Sequence, residues 1–106
     1  MKAILVGPDR DGLGDALEAE GVELTRIEDV ANRPALEDAG VVEADALVLT
    51  ETESATGISV AKDLNDDLHV VVYTDDDLPD FARAQTDLIV DPQLLSAEAV
   101  AEELAA

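Results

Sequence analysis

A chain of 106 residues has room for one domain, expected to span residues 1–106, with a core large enough to stand without staples. The absence of Cys excludes a disulfide framework, a thiolate metal site and a cysteine nucleophile, and no apolar run approaches the ~20 residues of a membrane span. With 26 Asp and Glu against 6 Lys and Arg, the formal net charge is −20, which leaves no basic stripe for nucleic acid.

Such acidity often marks a disordered tail, but here the acids are dispersed and the apolar runs between them are intact. Adaptation to molar salt explains this pattern better. At about 1 M salt the Debye length is only ~3 Å, so repulsion between surface carboxylates is screened, whereas in dilute buffer it opposes the compact state. Lysine is confined to Lys2 and Lys62. Met1 and Lys2 lead straight into strand residues, so no cleaved leader is expected and the protein is expected in the cytoplasm.

Lys2–Val6 is predicted as the first strand, followed by a glycine-punctuated turn, Gly7–Gly14, and a helix over Leu13–Glu20. Leu13, Ala16 and Leu17 share one face of that helix, and Gly21 stands where a C-cap glycine belongs. Val22–Ile27 alternates apolar with polar residues, which predicts a second strand with one wet face at a sheet edge. Glu28–Gly40 reads as a turn and short helix, with Pro34 at the first helical position and Leu36 inward. Ala46–Thr50, largely apolar, is predicted as a central third strand.

The polar turn Glu51–Ser54 offers N-cap candidates for a helix burying Ile58, Ala61 and Leu64. His69–Tyr73 is the fourth strand, Thr74–Pro79 a loop, Asp80–Ala84 a short helix and Asp87–Val90 the fifth strand. A final helix, Ser96–Leu104, uses Ser96 as its cap. Strands alternating with helices predict a three-layer α/β fold with a parallel sheet covered on both faces.

Three stretches read together: the strand–glycine-turn–helix Lys2–Leu17, Ala39-Gly40 before Ala44-Asp45 and a strand, and a closing strand followed by Pro92 and Leu94-Leu95. They resemble the N-terminal nucleotide-binding (RCK) domain of Trk-type potassium-uptake regulators. The resemblance implies a Rossmann-like fold and a nucleotide, NAD or another, as ligand. Ile27 to Pro34 is too short for the further helix and strand that the family carries. Removing that strand converts the order 3-2-1-4-5-6 into the flavodoxin-like 2-1-3-4-5, with the ligand crevice kept between strands one and three.

The turn also departs from the Gly-x-Gly-x-x-Gly fingerprint. It reads Gly7-Pro8-Asp9-Arg10-Asp11-Gly12, so Asp9 stands where a glycine lets backbone approach pyrophosphate. Arg10 is expected to offset that charge and hold phosphate oxygens. The resemblance puts a ribose-binding acid at Glu28, with Asp29 an alternative match to an adenine-contacting Asp. A ligand would lie across the carboxyl ends of strands one and three, touching Gly7, Asp9, Arg10, Gly12, Glu28 and Thr50.

Each of these residues also has a plainer reading, as a structural turn or a solvated carboxylate. Asp75–Asp77 could hold a hard cation, though a solvated acidic loop is the stronger reading, and His69 lacks any nucleophile or second His for a relay. A phosphoacceptor receiver domain shares the 2-1-3-4-5 order, but it needs an Asp after strand three, where Thr50 stands, and a Lys after strand five, where Asp91 stands. No nucleophile–base pair or metal-ligand cluster is evident, which favours a non-catalytic module. That module is either a nucleotide-binding sensor or regulatory subunit, or a degenerate scaffold acting through a protein partner or as a homodimer.

The charge makes a direct prediction. Melting temperature, followed by circular dichroism, should rise steeply as KCl goes from dilute to molar. Equal melting temperatures at both extremes would contradict the salt-adaptation reading.

Overall fold

The apolar run Lys2–Val6 (β1) lies second from one edge of a five-stranded sheet in the computed structural model, which describes residues 1–106. Glu23–Ile27 (β2) is that edge. Ala46–Leu49 (β3), His69–Tyr73 (β4) and Leu88–Val90 (β5) follow on the other side, giving the order β2-β1-β3-β4-β5 with every pair parallel. The predicted flavodoxin-like order, with β2 at an edge and β3 central, is the order found. No strand lies between Ile27 and Pro34.

A parallel sheet must be covered on both faces, and the central strands are apolar on both. Ile4, Val6, Leu47, Leu49, Val70 and Val72 face one layer, with Leu36 from Arg33–Asp38 (α2), Ile58 and Ala61 from Thr56–Leu64 (α3), and Ala82 from Asp80–Arg83 (α4). Ala3, Leu5, Ala46, Val48, Val71 and Tyr73 face the other, with Leu13 and Leu17 from Leu13–Ala19 (α1) and Val100 and Ala101 from Ala97–Ala105 (α5). Burying a Val, Leu or Ile fully is worth roughly 1.5–3 kcal/mol, so the two layers are the main source of stability. Thr74 is the only polar residue among the buried ones, and all 26 acids lie outside that core.

Local signals set most helix ends. Asn32 caps α2 by accepting the Ala35 N–H at 3.0 Å. Pro34 is the second helical residue, one place later than predicted, where a missing N–H still costs no helical bond. Ser96 caps α5 by accepting the Ala99 N–H at 3.2 Å.

The start of α3 differs from expectation. None of the side chains in Glu51–Ser54 caps it, and the chain winds in through backbone bonds, Gly57 N–H to Ser54 C=O (2.8 Å) and Ile58 N–H to Ala55 C=O (3.1 Å). At its far end the Asn65 carboxamide donates to the carbonyls of Val41 and Ala44, each at 3.0 Å. That contact ties α3 to the single 3₁₀ turn, Val41–Glu43, that leads towards β3.

Gly57 is fixed by packing rather than by backbone angle. A Cβ there would stand 2.8 Å from the Ala31 carbonyl oxygen, a backbone atom with little freedom to retreat. Ala normally stabilises a helix interior over Gly by roughly 0.5–1 kcal/mol. Here Gly57→Ala should instead destabilise by about 1–3 kcal/mol, the cost of overpacking, in denaturant unfolding at fixed high KCl. A gain in stability would show that α3 does not approach Ala31 this closely.

Candidate functional site

The strands β1, β3 and β4 all deliver their carboxyl ends to one side of the sheet, where an open α/β fold forms its crevice. The β1–α1 turn is shaped first by Gly7. Its φ is +106°, and a Cβ would stand 2.6 Å from Thr50 Oγ1 and 2.7 Å from Glu51 Cγ. The Thr50 hydroxyl crosses under this turn, donating to the Pro8 carbonyl at 2.6 Å, and its Oγ1 lies 3.3 Å from the Val6 carbonyl oxygen. Gly7 and Thr50 are therefore committed to one another in joining β1 to β3. Gly12, with φ +76°, closes the turn by donating its N–H to the Asp9 carbonyl at 3.2 Å and has open space where a Cβ would project.

Asp9 sits at the mouth of α1. Its carboxylate accepts the Gly14 N–H at 2.8 Å, the Asp15 N–H at 3.3 Å and Arg26 Nη1 at 3.1 Å. Two free N–H groups of the first helical turn, those of Gly14 and Asp15, are met by the chain's own anion. A negative charge suits that end of a helix. Burial works against ionisation of Asp9, but the Gly14 N–H, the Arg26 guanidinium and the Asp15 N–H prevail and lower its pKa below the ordinary 3.8.

The expectation that Arg10 offsets Asp9 is corrected here, because Arg26 of β2 does so instead. Arg26 also pairs with Asp15 (3.1 Å) and Glu18 (3.0 Å), one helical turn apart on α1. Its hydrogen bonds to Asp9 and Glu18 raise its own pKa further. The guanidinium lies against Gly14, where a Cβ would be 2.8 Å from both terminal nitrogens. Sequence reasoning missed Arg26. The available signal was Asp15 and Glu18 sharing a helix face beside the only cation of β2.

The remaining candidates line two clefts. One, of about 450 Å³, brings together Gly7, Arg10 and Glu28 with Asp29, Glu51 and Glu53. Four carboxylates there oppose one guanidinium, so it repels a polyphosphate. The other, of about 270 Å³, is lined by Arg10, Asp11, Thr50, Thr74, Asp75 and Gln93. Arg10 is exposed and makes no ion pair. Asp9 borders a separate recess with Arg26 and Glu28, while Gly12 lines none of these.

Elsewhere, Asp75–Asp77 are exposed, and no three carboxylate or imidazole side chains converge as metal ligands. His69 lies at the opposite end of the sheet, with Nδ1 3.8 Å from Asp87. No helix is long and apolar enough to cross a membrane.

Because the folded-state pKa of Asp9 is depressed, its ionised form stabilises the fold above the unfolded value. That contribution fades as pH falls through 3.8 and below. Asp9→Ala should cost about 1–2 kcal/mol at pH 7, the upper range for a lost helix cap, and the gap to wild type should narrow by pH 3. Urea unfolding at both pH values in molar KCl measures this. A gap independent of pH would mean that the charge of Asp9 contributes nothing.

Comparison with known proteins places this geometry. An orphan response regulator of H. pylori superposes with a TM-score of 0.74 at 17% identity, covering 98% of this chain and 92% of that one. A pilus assembly-related protein from Burkholderia pseudomallei gives 0.70 at 17% identity, covering 98% and 86%. An atypical orphan response regulator, described as having a phosphorylation-independent regulatory mechanism, gives 0.67 at 18% identity, covering 97% and 91%. At such identities the likeness is one of fold. No curated protein matches the chain. A family model does match, over residues 3–104. The chain belongs to that family, DUF7126, a family of unknown function.

Proposed function

We propose that this protein is a non-catalytic interaction module that works without a bound nucleotide. The observation that carries this reading is the Asp9 carboxylate at the mouth of α1, bonded to Gly14 and Asp15 and paired with Arg26. A phosphate arriving there would have to displace an anion that the fold already holds with backbone bonds and a cation. The acidic cleft beside it adds to the barrier. Phosphoryl acceptance is no better provided for. Thr50 stands where a receiver has its Asp, and the Asp91 carboxylate accepts the Gln93 N–H at 2.8 Å where a receiver has its Lys. One neighbour of the same fold is described as having a phosphorylation-independent regulatory mechanism, which is compatible with a module that has no phosphoacceptor.

Arg10 supports a second reading, nucleotide or dinucleotide binding in the manner implied by the resemblance to the Trk regulators. It is exposed, unpaired and common to both clefts. In that reading Arg10 holds phosphate and Glu28 a ribose.

Calorimetric titration of wild type and Arg10→Ala with ATP and NAD, at fixed molar KCl, separates the two. No saturable binding to either protein is the expected result. Saturable binding that Arg10→Ala weakens by roughly 1.5–3 kcal/mol, the range for hydrogen bonds to charged groups, would overturn the proposal in favour of the nucleotide.

A further inference from the structure

Six Lys and Arg side chains face 26 acids in this chain, and five of the six are met by the chain itself. Lys2, Arg26, Arg33 and Lys62 pair with carboxylates, and Arg83 donates to the Leu78 carbonyl at 3.1 Å. Arg10 alone has neither an ion pair nor a hydrogen bond. Its neighbours in sequence do not neutralise it. Asp9 is taken by Arg26 and two helical N–H groups, and Asp11 pairs with no cation.

The smaller cleft that Arg10 lines, of about 270 Å³, collects the carboxyl ends of four strands. Thr50 follows β3 and Thr74 follows β4, parallel neighbours, so both hydroxyls reach the same end of the sheet. The proton of Thr50 is spent on the Pro8 carbonyl at 2.6 Å. Thr74 differs. It is only 8% exposed, its Oγ1 accepts the Asp76 N–H at 3.2 Å, and its own proton goes to no acceptor of the chain. An unspent donor at a buried hydroxyl costs stability unless something in the cleft accepts it. Asp11 from the β1–α1 turn, Asp75 beside Thr74 and Gln93 after β5 complete the walls.

We propose that this cleft binds a basic α-amino acid. Its lining offers one guanidinium, Arg10, and two carboxylates, Asp11 and Asp75, none of them in an ion pair. A ligand that matches them charge for charge carries one carboxylate and two ammonium groups. The carboxylate meets the planar fork of Arg10 and accepts the free proton of Thr74, while the ammonium groups meet Asp11 and Asp75. At molar salt, charges act only across direct contacts, so this match has to be made group by group. Phosphate brings further negative charge towards the two carboxylates, and a diamine leaves Arg10 unmatched. Apart from the rings of Pro8 and Pro92 the lining is polar, which gives a hydrophobic amino acid little to pack against. The volume lies just below the ~300–1,000 Å³ of ligand pockets, a size for one amino acid and not for a cofactor.

Titration of lysine into ¹⁵N-labelled protein in molar KCl, followed through the amide resonances, tests this. Lysine should shift the amides of Asp11, Asp75 and Gln93 saturably. Norleucine, which lacks the second amino group, and cadaverine, which lacks the carboxylate, should each bind about tenfold more weakly, the loss of one charged contact. Arg10→Ala should abolish the preference for lysine over cadaverine, and Asp75→Asn should weaken lysine by about tenfold, both with unchanged circular dichroism. No saturable shift with lysine would overturn the proposal. So would equal affinity for all three compounds, or an Arg10→Ala protein that still prefers lysine to cadaverine as wild type does.

Discussion

One carboxylate at the mouth of a short helix organises the carboxyl side of this sheet. Asp9 links the β1–α1 turn to the first turn of α1, and through Arg26 to the edge strand β2. Exposed ion pairs alone contribute only about 0–1 kcal/mol, so Arg26 with Asp15 and Glu18 is not the source of its strength. What distinguishes Asp9 is that its side chain is only 17% exposed and accepts two helical N–H groups as well as the guanidinium. Charge-assisted bonds of this type are roughly twice as strong as neutral ones. The same arrangement has a functional consequence: the fold meets with its own side chain the positive helix end that other α/β proteins leave for phosphate.

The acids and the exposed apolar residues are distributed differently. Carboxylates spread over almost every exposed segment keep copies of the chain apart by their mutual repulsion. Five of the eight exposed large hydrophobics, among them Phe81, Ile89 and Leu94, fall within residues 81–95.

The architecture was legible because its signals are local or topological. Continuous apolar runs at β1, β3 and β4 and alternation at β2 separated central strands from an edge, and the eight residues from Ile27 to Pro34 left no space for another strand. Asn32 and Ser96 cap within three residues of themselves. The site was less legible because its contacts cross the sheet. Arg26 is 17 residues from Asp9, and Thr50 is 42 from the Pro8 carbonyl it holds. Nothing in the spacing around Gly7 reveals that its missing Cβ makes room for Thr50 and Glu51 rather than for a ligand. Arg10 looked like the partner of Asp9 because it is adjacent in sequence, yet Arg26 reaches Asp9 from the neighbouring strand.

The titration of Asp9 itself tests the central claim most directly. Its carboxyl carbon can be followed by ¹³C NMR in molar KCl together with the Gly14 amide proton that it accepts. The account predicts a midpoint below the ordinary 3.8, with the Gly14 amide shifting at the same midpoint. A midpoint at or above 3.8, with a Gly14 amide indifferent to it, would mean that the helix end is not held by this carboxylate and stands open to a ligand.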